Sequence, residues 1–292
     1  DFKKIYLTRP DNIRNFFYTF FIEIVNKDIL ITDYLGNFYI INYNDIKNNK
    51  KKINPKVIKS NLSPFKTLDT FFYKNNIFIS YANNKENCYN FNIDYAEFNN
   101  KELNFTNFYR SSECSIQDYH QIHGGRMQFY VNNQEEGLLF TVGDNNDIPK
   151  PDDSIIGKIL FIDFKNQNTI IFSKGHRNSQ GLLTEGEMIL SSEHGPRGGD
   201  EINNIVFNNN YGWPSVSYGE PYRSKIYNPL NQFYAKPKYF KDHLSKNFPF
   251  AIRNISHRFI LCSGYISLNG SGGVITKKGP SGLSISFTYL KR

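Results

Sequence analysis

Short apolar runs broken by two- and three-residue polar turns recur along this chain, and that repetition constrains its fold more than any other feature. DILITDYLGNFYIINYN (28–44) reads as a hairpin turning at Leu35-Gly36-Asn37, and FFYKNNIFISYA (71–82) as another turning at Lys74-Asn75-Asn76. MQFYVNNQEEGLLFTVGD (127–144), GKILFIDFKNQNTIIFSKG (157–175) and GLLTEGEMILSSE (181–193) repeat the theme. Five hairpins between residues 28 and 193, with almost no segment of helical period, predict an all-β chain. Pairs of hairpins recur at roughly forty to fifty residues, a spacing that suits four-stranded propeller blades better than a sandwich.

Of 292 residues, 39% are hydrophobic and 16% aromatic, enough to fill the core of a single domain over residues 1–292. The formal net charge of +8 would suit anionic partners. However, the only basic run, KNNKKK (47–52), carries no interleaved aromatics, so it reads as a solvated loop and no nucleic-acid partner is expected. The apolar run FFYTFFIEIV (16–25) is interrupted by Glu23 and is too short to span a bilayer. The chain starts at Asp1 rather than Met, which reads as a processed or truncated product.

Three cysteines, Cys88, Cys114 and Cys262, allow one bridge with one thiol left over. Pairing Cys88 with Cys114 fits an oxidising compartment, the other reading being three unrelated thiols. No C-x-x-C is present, which argues against a cysteine zinc site.

The densest chemistry lies between Gly175 and Tyr222. There GHRNSQGL (175–182), EHGPRGGDEIN (193–203) and NYGWPSVSYGEPY (210–222) follow one another. Glycine and proline set charged groups among short strands, so the polar residues are expected on loops. Three motifs in this order resemble the soluble pyrroloquinoline-quinone (PQQ) dependent sugar dehydrogenases, which act on aldoses, glucose or sorbosone. The resemblance implies a six-bladed β-propeller whose last blade is incomplete, since the part after YGWP is shorter than in the family and diverges from it. It also implies PQQ and calcium as cofactors, a sugar or related alcohol as substrate, an external electron acceptor, and a periplasmic or secreted location.

The same resemblance assigns the site. Arg177, Asn178 and His194 match cofactor-contacting positions, and a guanidinium suits a planar carboxylate. An Arg177 that ties blades together through carbonyls is the alternative. The backbone carbonyls of Gly195 and Pro196 match a calcium position, with Glu201 and Tyr211 matching a second, oxygen being the ligand calcium takes. Asp200 and Glu201 capping a turn is the competing reading there. Asp144 falls on a family carboxylate, whereas the proton-accepting histidine is displaced, leaving His120 and His123 as candidates in YHQIHGGR (119–126). Trp213 and Tyr211 read as blade packing, and Lys158 as a strand residue. A propeller that keeps these loops but only binds is the alternative to an enzyme.

Overall fold

The computed structural model describes residues 3–7, 20–48, 52–86, 88–115, 124–144, 150–196, 198–219, 272–277 and 283–288. His120, His123 and Cys262 lie outside them. The elements in chain order are β1 (Lys3–Leu7), β2 (Phe20–Val25), β3 (Asp28–Asp33), β4 (Phe38–Ile41), the single-turn helix α1 (Tyr43–Lys47), β5 (Lys52–Ile53) and β6 (Lys56–Ser60). Next come β7 (Lys66–Tyr73), β8 (Asn76–Lys85), β9 (Cys88–Glu97), β10 (Glu102–Leu103) and β11 (Thr106–Ser115). Then follow β12 (Gly124–Asn132), β13 (Glu135–Val142), β14 (Lys158–Asp163), β15 (Thr169–Lys174), β16 (Ser179–Glu185), β17 (Met188–Glu193), β18 (Glu201–Asn204), β19 (Gly272–Lys277) and β20 (Leu283–Thr288).

The hairpins form because their turns supply the left-handed residues that a two-residue connection needs. Asn26-Lys27, Lys74-Asn75 and Asn133-Gln134 all have positive φ, from 45° to 80°, between β2 and β3, β7 and β8, and β12 and β13. Asparagine sits in each pair because its short polar side chain tolerates that region. The β3–β4 turn uses Gly36, at φ 76°, and wraps around Asp33.

The strands assemble into sheets with orders β10-β6-β4-β3-β2, β11-β9-β8-β7, β12-β13-β14-β15 and β16-β17-β18. A further sheet, β19-β20-β1-β5, includes a parallel pair, β1 with β5, and is not a simple meander. The described residues therefore carry four blade-like sheets, one of them with the short β10 added parallel to β6, where six blades were expected. Hairpin spacing identifies a blade but carries no count, and the count of six came from resemblance alone.

By packing, the chain divides into two compact units. The first comprises Asp1–Tyr81, Ile93–Phe108 and Leu261–Arg292; its core gathers Leu30, Phe38, Ile58, Ile77, Ile79 and Phe105, with Phe38 stacked on Phe105 at 5.3 Å. The second comprises Ala82–Asn92 and Tyr109–Ile260, and its core joins Leu139, Ile159, Phe161, Phe172, Ile189, Ile205 and Tyr211. β14 is buried at every position, on both faces, and its centre ILFI (159–162) is a continuous apolar run flanked by the buried Lys158 and Asp163. Burying Phe161 and Phe172, which are almost wholly covered, contributes about 1.5–3 kcal/mol each.

Within the second unit, β12 lies beside β16 and side chains stitch the two together. Arg126 Nε donates to Gln180 O at 2.6 Å, Thr141 Oγ1 to Ser179 O at 2.9 Å, and Thr184 Oγ1 to Phe129 O at 2.9 Å. These ties run along β12 and β16 and bring the end of β13 to the start of β16. Cys88 and Cys114 form a disulfide with Cα atoms 5.5 Å apart. Cys114 lies on β11, which runs through SSECS. Among the described residues no helix is long and apolar enough to cross a membrane.

Candidate functional site

Glu193 ends β17, and its burial makes it the hub of the second unit's loops. Its carboxylate accepts from the backbone N–H of Arg177, from His176 Nδ1 at 3.1 Å, from Ser179 Oγ at 3.2 Å and from Asn203 Nδ2 at 3.4 Å. Burial alone would raise this carboxyl, but the imidazole of His176 and the donors from Arg177 and Ser179 outweigh it and hold the acid below its ordinary range. His176, itself 1% exposed, places Nε2 2.8 Å from Ser173 Oγ and stacks on Tyr211 at 4.8 Å.

Glu201 pairs with Glu193 across the β17–β18 register, and Asn203 Nδ2 also donates to it at 3.2 Å. Here burial and then the neighbouring Glu193 charge win, pushing Glu201 up to about 8. One acid of the pair is thus charged near neutral pH and its neighbour holds a proton.

The second centre is Asp144, 3% exposed, just beyond β13. Its N–H donates to the carbonyl of Arg177 at 2.7 Å. Trp213 Nε1 donates to its Oδ2 at 2.5 Å, and Lys150 Nζ stands 3.5 Å from its Oδ1. The guanidinium of Arg177 lies over the Trp213 ring at 5.3 Å while Nη1 donates to the carbonyls of His194, at 3.1 Å, and Gly195, at 3.0 Å. Gly175 permits this approach. A Cβ there would stand 2.2 Å from Asn210 Oδ1 and 2.6 Å from Gly212 N, and φ is 79°.

His120 and His123 aside, the sequence-derived site residues fall within the second unit. Asp144 meets Arg177 through the backbone, Gly124 N donates to Asn178 Oδ1 at 3.2 Å, and His194 N donates to Asn178 O at 3.1 Å. His194 Nε2 faces Gln180 Oε1 at 3.1 Å. Asp200 Oδ1 accepts from Gly195 N at 3.0 Å, the turn-capping alternative for that acid. Gly195 folds tightly on Gly198, whose carbonyl a Cβ would meet at 2.2 Å, and Pro196 beside it is buried. Tyr211 is buried and uses its hydroxyl locally, donating to Asn204 O at 2.5 Å and accepting from Val206 N at 2.9 Å. Lys158 is a buried strand residue, as expected, and donates to the carbonyls of Pro151 and Ile156.

Three participants escaped the sequence reading: Glu193, His176 and the polar role of Trp213. An acid closing an apolar strand immediately before His-Gly-Pro is the one signal that could have found Glu193. Chemically the cluster offers a cation on an aromatic face, a buried carboxylate held by an indole, and a facing acid pair of which Glu193 is buried and Glu201 half-buried. Among the described residues no three of histidine, cysteine, aspartate or glutamate are grouped as metal ligands would be.

With this geometry in place, comparison with known proteins is informative. Residues 19–244 match the family model described as glucose/sorbosone dehydrogenase. The aldose sugar dehydrogenase of Escherichia coli is 35% identical over 117 residues, covering 34% of this chain and 30% of that protein. Quinoprotein glucose dehydrogenase B of Acinetobacter calcoaceticus is 39% identical over 82 residues, covering 28% of this chain and 15% of that protein. The chain thus aligns with less than a third of either relative's length. A glucose dehydrogenase crystal structure aligns with a TM-score of 0.55 at 23% identity, over 70% of this chain and 65% of that one. The PQQ-bound aldose sugar dehydrogenase of Streptomyces coelicolor gives 0.54 at 16%, over 74% and 68%. At these identities the structural likeness shows the fold alone, an all-β propeller.

Proposed function

The chain belongs to the glucose/sorbosone dehydrogenase family, and from that membership we propose that it serves PQQ-dependent oxidation of an aldose sugar or related alcohol, handing electrons to an external acceptor. The observation that carries this reading is the direct hydrogen bonding of Asp144, Arg177, Asn178 and His194, drawn from separate segments into one cluster. When bound, PQQ supplies a quinone that accepts hydride from the carbon bearing the oxidised hydroxyl.

The residues present fit that group. Arg177 brings a cation held over the flat face of Trp213, suited to an anionic aromatic molecule. Asn178 and His194 stand beside it. Proton removal from the sugar hydroxyl falls to His120 or His123, and Asp144 is the carboxylate that would stabilise the resulting imidazolium.

Calcium fits one part of the proposed donor set better than the other. Glu201 is a carboxyl kept protonated by burial and by Glu193, so a cation there would take the proton's place, with the Tyr211 carbonyl as a further oxygen. The Gly195 carbonyl already accepts from Arg177. A cation at Gly195 and Pro196 would share the Gly195 carbonyl with that guanidinium. The disulfide supports a periplasmic or secreted location.

That same engagement of Arg177 with carbonyls favours a second reading, a propeller that binds without turnover. Reconstituting the full chain with PQQ and calcium, then following dye reduction on adding aldoses, tests both. Sugar-dependent reduction is expected. Bound PQQ with no turnover selects the binding module, and no PQQ binding overturns both.

A further inference from the structure

Trp213 lies between two candidate groups that reached the site from different motifs. Its Nε1 donates to Asp144 Oδ2 at 2.5 Å and its ring carries the Arg177 guanidinium at 5.3 Å. The segment around it is fixed independently of either contact: Tyr211 N donates to Lys174 O at 2.8 Å, Trp213 N to Gly175 O at 3.1 Å, and Val216 N to Gly212 O at 2.8 Å. The indole is therefore anchored through its backbone before it meets Asp144 or Arg177.

Those two residues are natural ion-pair partners, because the N–H of Asp144 already donates to the carbonyl of Arg177 at 2.7 Å. A carboxylate and a guanidinium on backbones this close would pair in bidentate fashion if nothing stood between them. Such a pair would draw the guanidinium off the indole face and away from an anionic cofactor, whereas the cation now beside the carboxylate is Lys150, 3.5 Å from Oδ1. An indole can prevent this because it offers each a different face, a donor N–H at its edge for the acid and a π surface for the cation.

We propose that Trp213 is a positioning residue that holds Asp144 and Arg177 apart and in register, the guanidinium over its face and the carboxylate at its edge. This rests on the PQQ-dependent reading above. It goes further, because it assigns a role within the site to a residue whose family motif implies only packing.

The chain has one tryptophan, so its emission reports on this site alone. The first arm of the test needs no cofactor. The emission maximum and acrylamide quenching of the full chain are compared with those of Asp144→Leu and Arg177→Met, with far-ultraviolet circular dichroism confirming that both fold. Each substitution is expected to shift the indole signal, Asp144→Leu by removing its acceptor and Arg177→Met by uncovering its face. Emission unchanged in both overturns the proposal, whatever the protein's activity.

The second arm uses Trp213→Phe, which keeps a π face and loses the donor, and Trp213→Leu, which loses both. After reconstitution with PQQ and calcium, Trp213→Phe should bind PQQ as tightly as the parent while kcat falls by up to about a hundredfold, the scale of a misplaced catalytic group. Trp213→Leu should lose PQQ affinity as well. A purely structural role would instead lower the melting temperature of both variants and leave kcat per folded molecule unchanged, and that result overturns the proposal. If the parent binds no PQQ, the functional reading fails and the first arm decides the role of Trp213.

Discussion

Two buried carboxylates, Asp33 in the first unit and Glu193 in the second, are each surrounded by donors, and they differ in where those donors come from. Asp33 accepts from Leu35 N and Asn37 N at 2.9 Å, from Asn37 Nδ2 at 2.9 Å and from Tyr39 Oη at 3.2 Å, all within six residues. Glu193 collects Arg177, His176 and Ser179 from 14 to 17 residues away, and Asn203 from ten. The first arrangement shapes one turn. The second locks several loops onto one another, and those loops carry the candidate site.

The largest expected effect follows from breaking the long-range hub. Glu193→Leu leaves His176 Nδ1 and the Arg177 N–H buried without their acceptor, and should cost about 3–5 kcal/mol in urea unfolding, as for a buried pair that loses one partner. The disulfide is a second long-range tie, closing a separation of 26 residues. Replacing both Cys88 and Cys114 with Ser should cost about 3.5 kcal/mol by the chain-entropy relation, checked by the same measurement.

A pH series sharpens the view of the acid pair. In the metal-free protein Glu201 is raised from 4.5 to about 8, so between those values the folded state holds a proton that the unfolded chain releases. Stability should therefore fall as pH rises through that window. Glu201→Gln should flatten the decline in melting temperature, and an unaltered slope would contradict the upward shift of Glu201.

The smallest effect should come from the local acid. Asp33→Ala removes a turn's acceptor, leaving the part-buried donors of Leu35 and Asn37 and the buried Tyr39 hydroxyl, and should cost about 1–3 kcal/mol. It should leave the second unit's loops untouched, so PQQ affinity should not change.

The same contrast explains how much the sequence discloses. Hairpins at 28–41 and 71–82 are legible because alternation and turn chemistry act between neighbours, and Asp144, Arg177, Asn178 and His194 are legible as members of contiguous motifs. Glu193 is not, because three of its four donors lie more than thirteen residues upstream. Trp213 reads as packing because its acceptor, Asp144, is 69 residues away. The number of blades is also illegible, since each meander closes on itself and no local term fixes how many follow.

Calorimetric titration of PQQ in the presence of calcium tests most directly the claim that the loops locked by Glu193 form a cofactor site. The parent chain and Asp33→Ala should bind with equal affinity, while Arg177→Met should bind at least about tenfold more weakly, the loss of one charge-assisted contact. Equal affinity in Arg177→Met, or no binding to the parent chain, would contradict it.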